Sequence, residues 1–262
     1  MRKVWAITLN TFREAIRNKV LYSLLFFAVL VIVASRAFGA LSVNEEVRLT
    51  VDLGLAGMSL FLVIIAIFIG VNLVYKELER KTVYTLLPKP IHRYQFVLGK
   101  FLGLTLTLFI QTLVMAFVLA AVLWSQGAEV SGPIVRLMVL IFFEVVVVTA
   151  IAVFFSSFST PFLSGMFTIG IFLLGRSVPD IRAVAAKITQ PLLSSLLEGV
   201  SAIVPNLRYY FVTGADIKGQ HVSVNGTFVD WGYVGTAAGY ASIYTALVLL
   251  FAMALFSRRD FI

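Results

Sequence analysis

Residues 53–93 read LGLAGMSLFLVIIAIFIGVNLVY-KELERKTVYTLLPKPIHR, an uncharged run followed by a charged island at 76–93. The first part exceeds the roughly 18 apolar residues that mark a membrane-spanning helix. The island carries five Lys/Arg and two Glu, so it cannot follow the run into lipid. It lies in water or against another protein. Leu78, Val83, Leu86 and Leu87 line one face of a short helix, which Pro88 and Pro90 stop. A short amphipathic helix hung between two spans is suited to taking force from a soluble partner.

Outward from that stretch, residues 101–128, 145–175 and 231–257 are also uncharged and long enough to span. The chain is 60% hydrophobic and 13% charged, against about 45–50% and about 25% for soluble domains. The pattern defines an integral membrane protein built as a helix bundle, because alternating barrel strands are absent. The absence of cysteine excludes disulfides, thiolate metal sites and cysteine nucleophiles.

The net charge of +8 is unevenly placed. Three clusters hold 13 of the Lys/Arg: residues 2–19, 76–100 and 258–259. With the four acids Glu14, Glu77, Glu79 and Asp260 they total 13 − 4 = +9. The other loops hold eight bases and eight acids, and Glu144 within a span brings the sum to +8. This bias follows the positive-inside rule and argues against nucleic acid as the partner. It puts both termini and the island in the cytoplasm.

Residues 1–19 read as a basic amphipathic helix lying in the interface, with Trp5, Leu9, Phe12 and Ile16 at helical spacing. The alternative is a signal peptide cleaved near Ser35-Arg36-Ala37. Six spans are expected: Val20–Leu41, with Arg36 snorkelling outward; Leu53–Tyr75; Gln95–Trp124; Ile134–Phe155; Phe162–Leu174, ended by Arg176; and Gly232–Phe256. Gly127 to Pro133 makes an outer turn, and Ser156 to Pro161 an inner one. Ile188–Val204 is too short to cross and return, and reads as a re-entrant or interfacial element. Val222–Val229 reads as a hairpin about Asn225-Gly226, favoured over Asn225 as a glycosylation sequon.

No phosphate-binding loop, zinc-protease motif or nucleophile elbow is present. His92 and His221 fall on opposite sides of the expected membrane. Gly99/Gly103 and Gly235/Gly239 permit close helix approach, and packing within one subunit is preferred over a dimer seam. Glu144 lies near mid-bilayer, where a charge is costly. Gln111 sits at similar depth. Either the two share a structural hydrogen bond, or Glu144 belongs to a substrate pathway or gate.

The island and its flanks, Glu77-x-Glu79-Arg80-Lys81-Thr82-x4-Leu87-Pro88-Lys89-Pro90-Ile91-x-Arg93-x2-Phe96-x2-Gly99-Lys100, resemble the first inner loop of ABC type-2 permeases. Many members have Gly before the Thr, where Lys81 stands here. The start Thr11-Phe12-Arg13-Glu14-x3-Asn18-Lys19 and the ending Ser257-Arg258-Arg259-Asp260-Phe261 are similar to theirs.

The resemblance implies an all-α membrane protein forming one transmembrane domain over 1–262. It would have six transmembrane helices, an N-terminal interfacial amphipathic helix, a cytoplasmic coupling helix in 76–93, and an outer gate within 176–231. It implies an exporter permease with no nucleotide site of its own, paired with a second permease copy in the bacterial inner membrane. Separate cytoplasmic ABC ATPase subunits would carry ATP and Mg and dock on Glu77, Glu79, Arg80, Lys81, Thr82, Leu87, Pro90 and Arg93. Membrane lipid is the remaining partner, and no metal or catalytic residue is expected. Two alternatives stand beside it. One is a permease pair relaying ATPase motion to an extracytoplasmic, periplasmic protein without transport. The other is a membrane scaffold or receptor.

Overall fold

The computed structural model describes residues 2–40, 45–79, 92–188, 190–211, 216–217, 220–221 and 229–258. It is helical apart from one short ladder. The helices are α1 (Arg2–Ile16), α2 (Lys19–Gly39), α3 (Glu46–Glu79), α4 (Arg93–Ser125), α5 (Gly132–Ser156), α6 (Pro161–Ala185), α7 (Pro191–Ile203) and α8 (Trp231–Arg258). All but α1 and α7 are long and apolar enough to cross a membrane. Strand β1 (Asp216–Ile217) pairs antiparallel with β2 (Gln220–His221). The hairpin expected about Asn225 lies largely outside the described residues.

Local chemistry sets the boundaries. Asn18 breaks α1 from α2 and caps the latter, its side chain accepting from the Val20 amide at 3.0 Å. Gly127 follows α4 with φ +73°, a conformation that favours glycine, and turns the chain toward α5. Pro133 and Pro161 fall in the first turns of α5 and α6, where no amide donor is needed.

The spans form an antiparallel bundle with two distinct ends. At the first, the basic end, Thr8 of α1 donates to the Gly99 carbonyl of α4, and Phe96 of α4 stacks on Phe256 of α8. The start of α4 and the end of α8 therefore gather there beside α1. At the far end Arg36 of α2 donates to Ser125 of α4 at 2.8 Å. Trp124 and Trp231 are exposed at this end, as interfacial tryptophans are. Helices α3 and α5 are the most enclosed, and their Val, Ile and Leu side chains make most of the core.

The fifth span is longer than its sequence implies. The charge pattern stops it before Arg176, but α6 runs 25 residues to Ala185 and contains Pro179. Arg176 does not end the helix because its charge is paired inside the bundle, as described below. Gly175 lies one turn before Pro179. It lets another segment approach: a Cβ there would stand 2.7 Å from the Pro205 carbonyl oxygen.

That approaching segment follows α7. Its non-helical backbone needs partners within the protein, and here tyrosines on one face of α8 contribute. Tyr233 donates to the Tyr209 carbonyl at 2.8 Å, and Tyr244 donates to the Ile203 carbonyl at 3.2 Å. The Tyr240 hydroxyl accepts from the Asn206 amide at 3.0 Å. In return, buried Tyr210 donates to the Ala237 carbonyl at 3.1 Å. Burial, with Tyr240, Glu144 and Tyr233 adding to it, pushes the Tyr210 phenol well above its ordinary range. It therefore stays a neutral donor. Arg182 fixes the end of α7 through the Ser201 carbonyl at 3.0 Å.

A buried ion-pair latch as candidate functional site

Glu144 stands at the centre of α5, twelve residues from either end of Gly132–Ser156. That is about 18 Å from each end at the α-helical rise. Its side chain is wholly buried. A carboxylate at this depth needs a partner, because lipid offers none.

The partner is Arg176 of α6. Its Nε donates to Glu144 Oε1 at 3.0 Å and its Nη2 to Glu144 Oε2 at 3.1 Å, the fork-on-carboxylate geometry that only arginine provides. Ser59 of α3 completes the site. Its hydroxyl donates to Glu144 Oε2 at 2.8 Å and accepts from Arg176 Nη2 at 2.6 Å. Phe172 and Phe211 flank the guanidinium, which lies 4.9 and 4.2 Å from their ring centroids. Phe211 comes from the segment beyond α7. One cluster thus joins α3, α5, α6 and the chain after α7.

This corrects the expected pairing of Glu144 with Gln111. Gln111 is buried in α4, yet neither its Oε1 nor its Nε2 has a hydrogen-bond partner among the described residues. Arginine wins because a charge-assisted fork is stronger than an amide contact. The sequence held the signal. Glu144 required a cation at matching depth, and Arg176 is the only basic residue between Pro161 and Ile181. Reading it as the end of the span hid it. Ser59 carried no signal, since serine is common in spans.

A second polar site binds α1 to the basic end of α4. A Cβ on Gly99 would meet Ile7 Cβ at 2.7 Å, and one on Gly103 would meet Thr11 Cβ at 2.6 Å. The first glycine pair therefore packs within the subunit, as expected. Lys100 lies buried between them, its Nζ 3.5 Å from Glu14 of α1. The second pair does not follow. A Cβ added at Gly235 or Gly239 would meet no atom within 4 Å, because both face away from the tyrosine side of α8.

Of the expected docking residues, Glu77 and Glu79 lie on the last turn of α3 and Arg93 begins α4. Arg80, Lys81, Thr82, Leu87 and Pro90 lie outside the described residues. Helix α3 nonetheless continues to Glu79, four residues past Tyr75 where its uncharged run ends. The same helix carries Ser59 at the latch.

These features define a six-span helical membrane protein whose third helix continues past its uncharged run to Glu79 at the basic end. Comparison with known families gives the class its name: the chain matches the ABC-2 family transporter protein over residues 5–261. It belongs to that family, and so is a membrane component of an ABC transporter rather than a catalytic subunit. No curated protein matches it.

Proposed function

We propose that the chain is the permease subunit of an ABC exporter in the bacterial inner membrane, with its basic end in the cytoplasm. Separate ATPase subunits, holding ATP and Mg, dock on residues 76–93, and two permease copies form the transporter. The observation that carries this reading is the continuity of α3. One helix runs from Glu46 at the far end, past Ser59 at the latch, to Glu79 among the docking residues.

Closure of the ATPases moves the end of α3. A rigid helix passes that motion to Ser59, which shares hydrogen bonds with Glu144 and Arg176. Arg176 touches Phe211 and Gly175 touches the Pro205 carbonyl, so the re-entrant chain moves with them. Coupling of this kind requires contacts that differ between two states. A forked ion pair is such a contact, because it is either made or broken. In this reading Glu144 serves the gate by holding Arg176, and Gln111 lines the adjoining interior.

The test is co-purification with the partner ATPase and measurement of its turnover. Glu79→Lys with Arg80→Glu reverses two charges outside lipid and should weaken docking or uncouple hydrolysis, while the bundle stays folded. Unchanged docking and turnover in the double variant would remove the proposed role of this segment.

A further inference from the structure

The Arg176 guanidinium is only half used. Its Nε and Nη2 bind Glu144 and Ser59, and Nη1 has no hydrogen-bond partner among the described residues. The two partners of the ion pair also differ in access. The Glu144 side chain is 0% exposed, whereas that of Arg176 is 26% exposed. One edge of the fork is closed by the carboxylate, and the other edge is open.

What leads to the open edge is apolar. Phe162, Met166, Ile169 and Leu173 are all exposed on α6. They recur every three or four residues, which places them in one stripe, and Arg176 is its next member. The stripe spans about 21 Å from Phe162 to Arg176 at the helical rise. Phe172 and Phe211 wall the guanidinium at its top. A hydrated inorganic anion would lose its water to reach this depth. An amphiphile brings its own apolar chain, which the stripe accommodates, while its head meets two unused N–H donors.

We propose that Arg176 is the head-group site for an amphiphile with an acyl-type chain and a phosphate-type anion. The chain lies along α6 toward the basic end, and the anion takes the Nη1 edge. Glu144 is then an internal competitor that neutralises Arg176 when no ligand is bound. The proposal rests on the exporter reading and gives its substrate class.

The probe is dodecyl phosphate, added to the purified full-length chain in a neutral maltoside detergent and followed by equilibrium dialysis. Saturable binding of one molecule per chain is expected. Inorganic phosphate and dodecyltrimethylammonium should not compete. Glu144→Gln frees the whole guanidinium and should tighten binding about tenfold or more, the scale of one ionic contact. Glu144→Gln with Arg176→Gln removes both charges, avoids an unpaired one, and should abolish saturable binding. Arg176→Lys keeps the charge without the fork and should weaken binding about tenfold.

Free phosphate competing as well as the amphiphile, or the cationic amphiphile competing at all, would overturn the proposal. So would Glu144→Gln leaving affinity unchanged, even if the double variant failed to fold. No ATPase is present in these assays, so their failure leaves the docking test untouched.

Discussion

Where α1 meets α4, contact is made by small groups: Gly99, Gly103, Thr8 and Thr11 bring two backbones together, with one lysine buried beside them. Where α3, α5 and α6 meet, contact is made by large polar groups: Arg176 spans the gap to Glu144 and Ser59. The first seam is held mainly by surface fit, with the Thr8 hydrogen bond and the Lys100–Glu14 pair beside it, and fit falls away as soon as the helices part. The second is held by charge at membrane depth, and its arginine still has an open edge. Fit suits a permanent joint. A forked ion pair with a spare edge suits a joint that exchanges partners.

The largest effect should come from breaking the ionic joint on one side. Arg176→Leu leaves Glu144 buried without its cation, and should destabilise the chain by about 3–5 kcal/mol. Denaturant titration of the purified protein in detergent measures this. Adding Glu144→Leu should recover most of the loss, since an apolar pair replaces a buried ion pair at little cost. If the double variant is no more stable than the single one, the pair does not act as a unit.

The packed joint should yield less. Gly103→Ala places a methyl 2.6 Å from Thr11 Cβ and 2.7 Å from the Thr8 carbonyl oxygen. Overpacking of this kind costs about 1–3 kcal/mol. Gly239→Ala, with nothing within 4 Å, should be neutral or stabilising by up to about 1 kcal/mol, the helix-propensity gain. Equal losses from the two substitutions would show that Gly239 meets something outside the chain, and size-exclusion of the variant would then reveal a changed assembly.

The two joints also differ in how far they could be read from sequence. Glycines four apart in a span announce a close approach, and Gly99/Gly103 met that expectation locally. The same spelling at Gly235/Gly239 did not, because spacing says nothing about which face of α8 turns inward. Tyr233, Tyr240 and Tyr244 decided that face by bonding the chain after α7. The six spans were legible because burial in lipid needs long apolar runs. The ionic joint was half legible. Glu144 stood out by its cost, but its partner lay 32 positions away on a helix whose length depends on the pairing itself. Sequence arithmetic ended that span at the charge; folding carries the span through it.

An equally small effect on stability is expected at Gln111, and it bears on both joints because α4 carries Gln111 in its middle and the glycine seam at its basic end. The amide is 3% exposed and makes no hydrogen bond among the described residues. An unsatisfied buried amide already carries its desolvation cost, so Gln111→Leu should be neutral or stabilising by about 1 kcal/mol. That expectation separates two uses of the residue. If Gln111 is an inert survivor in the core, the leucine variant gains stability and drives the same transport. If it lines the route of a polar head group toward Arg176, stability is unchanged or improved while substrate-stimulated ATPase turnover with the partner falls. A clear loss of stability would mean instead that the amide is bonded in the assembled transporter. The group closing that bond would then have to come from the second permease copy or from a bound molecule.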